Sequence, residues 1–218
     1  MPVERIPGEK MYIDWVGDQP ELLTDPSTGE IHKVHVFHVF TTTLGFSSCV
    51  YAEIFLDEKL PSFINGVVHA LEYYQAVPKY LVPDNLKTAV TKHSKDELTL
   101  NFAFSDLEDF YDVIVVPPPP RKPKGKPSVE NHVRFLETHL IERLKKDIYT
   151  SLEDLNRATQ KIIATINQDE FRQKSDIRKT RMYAFETYGK PRMRPLPVGC
   201  YALCDYRYYA RVPDNYHI

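Results

Sequence analysis

"KMYIDWVGD", residues 10–18, alternates as a β-strand does: Met11, Ile13 and Trp15 fall on one side, Tyr12, Asp14 and Val16 on the other. The next stretch, "DQPELLTDPSTGEIH", carries turn chemistry in Asp25-Pro26 and Thr28-Gly29. Two β-rich runs follow, "KVHVFHVFTTT" (33–43) and "FSSCVYAEIF" (46–55), joined at Leu44-Gly45. Together these predict an antiparallel three-stranded meander.

Beyond the meander the pattern changes period. In "LPSFINGVVHALEYYQA" (60–76), Phe63, Ile64, Val67, Val68, Leu71 and Tyr74 recur at helical spacing. "KYLVPD" (79–84) is a short apolar strand stopping at Pro83-Asp84, "NFAFSDLEDFYD" (101–112) a helix, and "VIVVPP" (113–118) a buried strand ended by four prolines. This order implies parallel strands with right-handed crossovers. A long helix is expected over 128–148, with Val129, Val133, Leu136, Leu140 and Leu144 as its buried stripe. Another runs from Ser151 to Asp169 on Leu152, Leu155, Ile162, Ile163 and Ile166, and opens with "SLED", the form of a capping box. "DEFRQKSDIRKTR" reads as a charged stretch, "KPRMRPLPVG" as a linker, and "CYALCDYRYYARVPDNYHI" as strands of a small β domain. The fold class is α/β with a mixed five-stranded sheet.

The bulk properties set limits. The 218 residues are 42% hydrophobic, enough for a sizeable core, and the net charge of −2 gives no overall basic signature. A nucleic-acid role must therefore rest on local patches. Cys49, Cys200 and Cys204 form no disulfide framework in a chain this long, which favours a reducing compartment. No signal peptide and no membrane-spanning apolar run is present, so the expectation is a soluble, cytoplasmic protein.

Three acidic residues draw attention by position. Asp14 lies in the first strand, Asp84 at the carboxyl end of the fourth, and Glu130 on the helix after the fifth. Strands one and four can be parallel neighbours, which would stand Asp14 beside Asp84 near the switch point where open α/β sheets place their sites. The Glu130 helix can bring its first turn to the same edge. Clustered carboxylates need a cation, and hard oxygen ligands suit Mg²⁺ or Mn²⁺. Such a cluster supports in-line phosphoryl transfer with two metals. The bland alternatives are that Asp84 caps a short helix at "NLKTAV" and that Glu130 merely favours a helix start, paired with Arg134.

"MYIDWVGD", "YLVPDNLKTAV" and "PPPPRKPKGKPSVENHVRFLE", found in that order, resemble the three signature segments of the DDE transposases with a ribonuclease H-like fold, and most closely the IstA type. The resemblance covers the chain from about residue 8 onward. It implies that Asp14, Asp84 and Glu130 are the metal-binding triad. It further implies cleavage at transposon ends and joining of the freed 3′-OH to target DNA. An AAA+ helper ATPase of the IstB type and self-association, which pairs two ends, are implied partners. On this basis residues 1–150 form the catalytic core, 151–192 a helical extension and linker, and 193–218 the beginning of a C-terminal β-barrel. The resemblance also predicts a catalytic-core fragment, because full IstA-type proteins start with helix-turn-helix domains.

"PPPPRKPKGKP", directly before the Glu130 helix, then fits a phosphate grip: prolines hold it extended while Arg121, Lys122, Lys124 and Lys126 project positive charge. Lys87, just after Asp84, is a further candidate phosphate contact. The alternative is a solvated linker or an SH3-type ligand. His32, His35 and His38 read as ordinary strand histidines, Cys200 and Cys204 lack a second pair for zinc, and Trp15 reads as core. Two rival functions remain: a structure-selective nuclease that cuts without joining, and a non-catalytic DNA-binding or assembly module.

Overall fold

The computed structural model describes residues 5–20, 36–84, 90–93, 98–100, 102–116, 137–172, 178–199 and 201. Strands β1 (Lys10–Pro20), β2 (Val36–Leu44) and β3 (Val50–Phe55) form the expected antiparallel meander. Helix α1 (Leu60–Tyr74) returns the chain to β4 (Tyr80–Pro83), which lies parallel to β1. A small hairpin, β5 (Val90–His93) with β6 (Leu98–Leu100), precedes helix α2 (Phe102–Tyr111) and the short parallel strand β7 (Ile114–Val115). The sheet order is β3-β2-β1-β4-β7. This is the mixed five-stranded α/β sheet read from the sequence.

Each face of the sheet carries a core. On one, Met11, Ile13, Phe40, Tyr51 and Leu81 meet α1 through Phe63, Ile64, Val67 and Leu71, and α2 through Phe104 and Leu107. Gly66 permits this closeness: a Cβ there would sit 2.8 Å from the Phe40 ring. On the other face, Val16, Phe37, Val39, Val50, Ala52 and Ile54 pack against Leu140, Ile141, Leu144, Leu155, Ile163 and Ile166. Fully burying one such side chain stabilises by about 1.5–3 kcal/mol, so both faces contribute heavily.

The second face is covered by two elements. One is the end of the long helix predicted over 128–148, described as a π-helical turn (Glu137–Ile141) running into α3 (Glu142–Leu144). It closes sooner than predicted: the amides of Lys146 and Asp147 reach back three residues to Arg143 and Leu144, and Ile148 is exposed. Leu140 and Leu144 are buried as expected, while Val129, Val133 and Leu136 lie outside the described side chains. The other is α4 (Leu152–Gln168), whose cap Ser151 accepts from the Asp154 amide as the "SLED" motif predicts.

Helix α4 also closes the edge of the sheet. The outward backbone groups of β3 would stand unpaired, a hazard of every edge strand. Asn156 accepts from the Ile54 amide and donates to its carbonyl, Gln160 donates to Ala52, and Asn167 repeats the two-way pairing at Val50. The spacing puts all three amides on one helical face.

The short helix at "NLKTAV" that Asp84 could cap falls on residues 85–89, which, with Lys87, lie outside the described residues; Val90–His93 is strand. Two further sequence readings are corrected. "DEFRQKSDIRKTR" holds a hairpin, β8 (Glu170–Arg172) with β9 (Arg178–Thr180), which its charge disguises. It leads through α5 (Arg181–Ala184) and a π-helical turn (Phe185–Gly189) to "KPRMRPLPVG". That stretch is no free linker. Val77 and Arg194 exchange backbone hydrogen bonds of 2.8 and 2.9 Å, Arg194 pairs with Asp112, and Met193 and Leu196 pack on the first core. Gly8, at φ +74°, lets the start of the chain pass beneath it, since a Cβ would lie 2.9 Å from the Gly189 carbonyl. Among the described residues no helix is long and apolar enough to cross a membrane.

Candidate active site

The register of β1 and β4 determines what stands at the carboxyl end of the parallel strands. Lys10 pairs with Tyr80, and the ladder runs to Ile13 opposite Pro83. Its last rung is the Asp84 amide donating to the Ile13 carbonyl at 2.9 Å. One step further in that register sets Asp14 against Asp84, on strands about 4.8 Å apart. Pro83 is tolerated because its missing N–H would face β7, whose last rung to β4 is the Val116 amide on Leu81. The backbones of Asp14 and Asp84, distant in sequence, thus come to adjoining positions, and Asp84 is exposed to solvent.

Asp14 is held in a specific way. Because β4 ends at Pro83, the Trp15 amide lies past the reach of the β1–β4 ladder. It donates instead to Asp14 Oδ1 at 2.9 Å. On the other flank, buried Thr41 sits opposite Asp14 and donates its hydroxyl to the Asp14 carbonyl at 3.1 Å. Alternation assigns Asp14, with Val16, to the face covered by α4 and by Leu140, Ile141 and Leu144. Leu140, Ile141 and Leu144 lie at the end of the stretch predicted as the Glu130 helix, and Glu130 itself lies outside the described residues.

Glu130, Lys87, Arg121, Lys122, Lys124 and Lys126 lie outside the described residues, as do His32, His35, Cys200 and Cys204. Among the described residues no group of three or more His, Cys, Asp or Glu could hold a metal ion. The two described members, Asp14 and Asp84, offer oxygen donors only, which suits a hard divalent cation and not zinc or copper. His38 is engaged elsewhere, with Glu58 at 3.0 Å. Cys49 is buried, and burial pushes its thiol up to about 12, so it is no nucleophile. Trp15 packs against the first core, as the sequence reading has it, while its amide engages Asp14.

No family model matches the chain. A Burkholderia multivorans protein named as a transposase for insertion sequence IS408 is 32% identical over 97% of this chain, and the chain covers 39% of it. The chain is a relative of the insertion-sequence transposases. The transposase for IS21 of Pseudomonas aeruginosa is 26% identical over 71% of this chain and 38% of its own length. The chain thus spans about two fifths of the transposases it matches. Among solved structures, the HTLV-2 integrase catalytic core in complex with magnesium superposes with a TM-score of 0.57 at 16% identity, over 83% of this chain and 97% of that one. The BIV integrase catalytic core gives 0.54 at 12% identity, over 83% and 93%. The fold of this transposase relative is therefore that of the integrase catalytic core, ribonuclease H-like as the three signature segments imply.

Proposed function

We propose that this chain is the catalytic core of a DDE transposase, which cuts DNA at transposon 3′ ends and joins them to target DNA. The observation that carries the reading is the β1–β4 register, which makes Asp14 and Asp84 neighbours on a sheet of integrase type. Asp14, Asp84 and Glu130 would hold Mg²⁺, or Mn²⁺ in its place, which would supply activation of the attacking oxygen and neutralisation of charge on the leaving one. The carboxylates of the chain would fix its place where the β1–β4 ladder ends. Arg121, Lys122, Lys124 and Lys126, with Lys87, grip the flanking phosphates and keep the scissile bond in line.

The transposase relatives and the dimeric and trimeric integrase cores support DNA as the partner and self-association, and a helper ATPase of the IstB type is what the resemblance of the three signature segments implies. Residues 1–150 act as the catalytic core, 151–192 as its helical extension, and 193–218 begin a β-barrel. The test is cleavage and joining of transposon-end DNA by the full-length protein with Mg²⁺ or Mn²⁺, wild type against Asp14→Asn and Glu130→Gln. The expected result is that both variants bind DNA and neither cuts nor joins. Cutting without joining by the wild type would make it a nuclease; normal turnover by Asp14→Asn would refute the site.

A further inference from the structure

We propose that Trp15 is the positioning residue for Asp14, an inference that rests on Asp14 being a metal-holding carboxylate. Asp14 and Trp15 lie in the middle of β1, just past the end of its β4 ladder, so that this part of the strand is paired on one side only, by β2. A stretch of strand with one neighbour has fewer contacts to hold it than one paired on both sides. The Trp15 indole adds contacts from the opposite face. Its ring meets His38, Phe40 and Phe55 edge-on, at centroid distances of 6.4, 5.3 and 5.8 Å and interplanar angles of 87°, 76° and 80°. His38 is in turn tied to Glu58, in the loop leading into α1, at 3.0 Å. These contacts fix the backbone of residue 15, and that backbone presents the N–H that holds Asp14 Oδ1 at 2.9 Å.

The consequence is division of labour between two adjacent residues on opposite faces. Asp14 has two side-chain torsions, and a carboxylate free to rotate loses affinity for a cation that demands fixed geometry. With Oδ1 engaged by the Trp15 amide, rotation of the carboxyl plane is restricted. Trp15 touches neither metal nor DNA in this account; it acts through Asp14. Groups that orient a ligand in this way are worth about 10- to 100-fold in metal affinity.

The experiment is Mn²⁺ binding to the full-length protein, followed by electron paramagnetic resonance, together with thermal melting and duplex DNA binding. Trp15→Ala is expected to weaken Mn²⁺ binding about tenfold while DNA affinity without metal is unchanged, and Trp15→Phe to restore most of it. Phe63→Leu lies in the same aromatic cluster, 5.8 Å from Phe40, but makes none of the Trp15 ring contacts. It is expected to lower the melting temperature and leave Mn²⁺ binding intact. If Trp15→Ala does not fold, Trp15→Leu carries the same comparison. Wild-type Mn²⁺ affinity in the folded Trp15 variants, or equal loss in Phe63→Leu, overturns the inference while Asp14→Asn still abolishes binding. Retained Mn²⁺ binding in Asp14→Asn would bring down the metal reading itself.

Discussion

Removing one buried amide from α4 should cost the protein a large share of its stability. Asn167 is fully buried; its side chain accepts from the Val50 amide at 2.9 Å, donates to the Val50 carbonyl at 2.7 Å, and donates to the Tyr73 hydroxyl at 3.0 Å. Asn167→Ala leaves both backbone groups of Val50, itself 2% exposed, without partners or water. Each such orphan costs about 1–3 kcal/mol, so the destabilisation is about 4 kcal/mol. For a chain of this size that lowers the melting point by about 8–16 °C. Urea unfolding followed by circular dichroism measures it, with an unchanged slope reporting an unchanged unfolding reaction. A destabilisation under about 1 kcal/mol would refute the claim that side-chain amides close the β3 edge.

Three other outcomes are expected. Gly66→Ala drives a methyl into the Phe40 ring, which Trp15, Phe55 and Phe63 hem in, and should destabilise by about 1–3 kcal/mol in the same assay. The hydrogen bond to Glu53 at 2.8 Å raises the His69 pKa, so its stabilisation is fully present below about pH 6.5 and fades as pH climbs through the raised value. Melting curves across that range should show this decline in the wild type and lack it in His69→Gln. Replacing Lys122, Lys124 and Lys126 with alanine should reduce the salt slope of duplex binding by about 0.9 for each phosphate no longer neutralised, read by fluorescence anisotropy at several salt concentrations.

The parts of the fold legible in the sequence are those written in periodicity. Alternation in Met11-Ile13-Trp15 and helical spacing from Phe63 to Tyr74 are local signals, and they place β1 and α1 correctly. The element order allows strands one and four to be parallel neighbours, and they are. Long-range pairings of polar groups are not legible. Asn156, Gln160 and Asn167 look like an ordinary solvated helix face, because nothing in their spacing names a strand far upstream in the chain. "KPRMRPLPVG" has a linker's composition, yet Arg194 finds Val77 and Asp112. The β8–β9 hairpin lacks alternation, so its charged residues conceal it.

The central claim is that Asp14, Asp84 and Glu130 share one metal site, and iron-directed cleavage of the polypeptide tests it most directly. Fe²⁺ replaces Mg²⁺ at oxygen-donor sites, and with ascorbate and peroxide it cuts the backbone beside its ligands. The account predicts three cuts in the full-length protein, next to residues 14, 84 and 130, all suppressed by excess Mg²⁺ and all abolished in Asp14→Asn. Cuts at 14 and 84 with none at 130, or a pattern indifferent to Asp14→Asn, would contradict it.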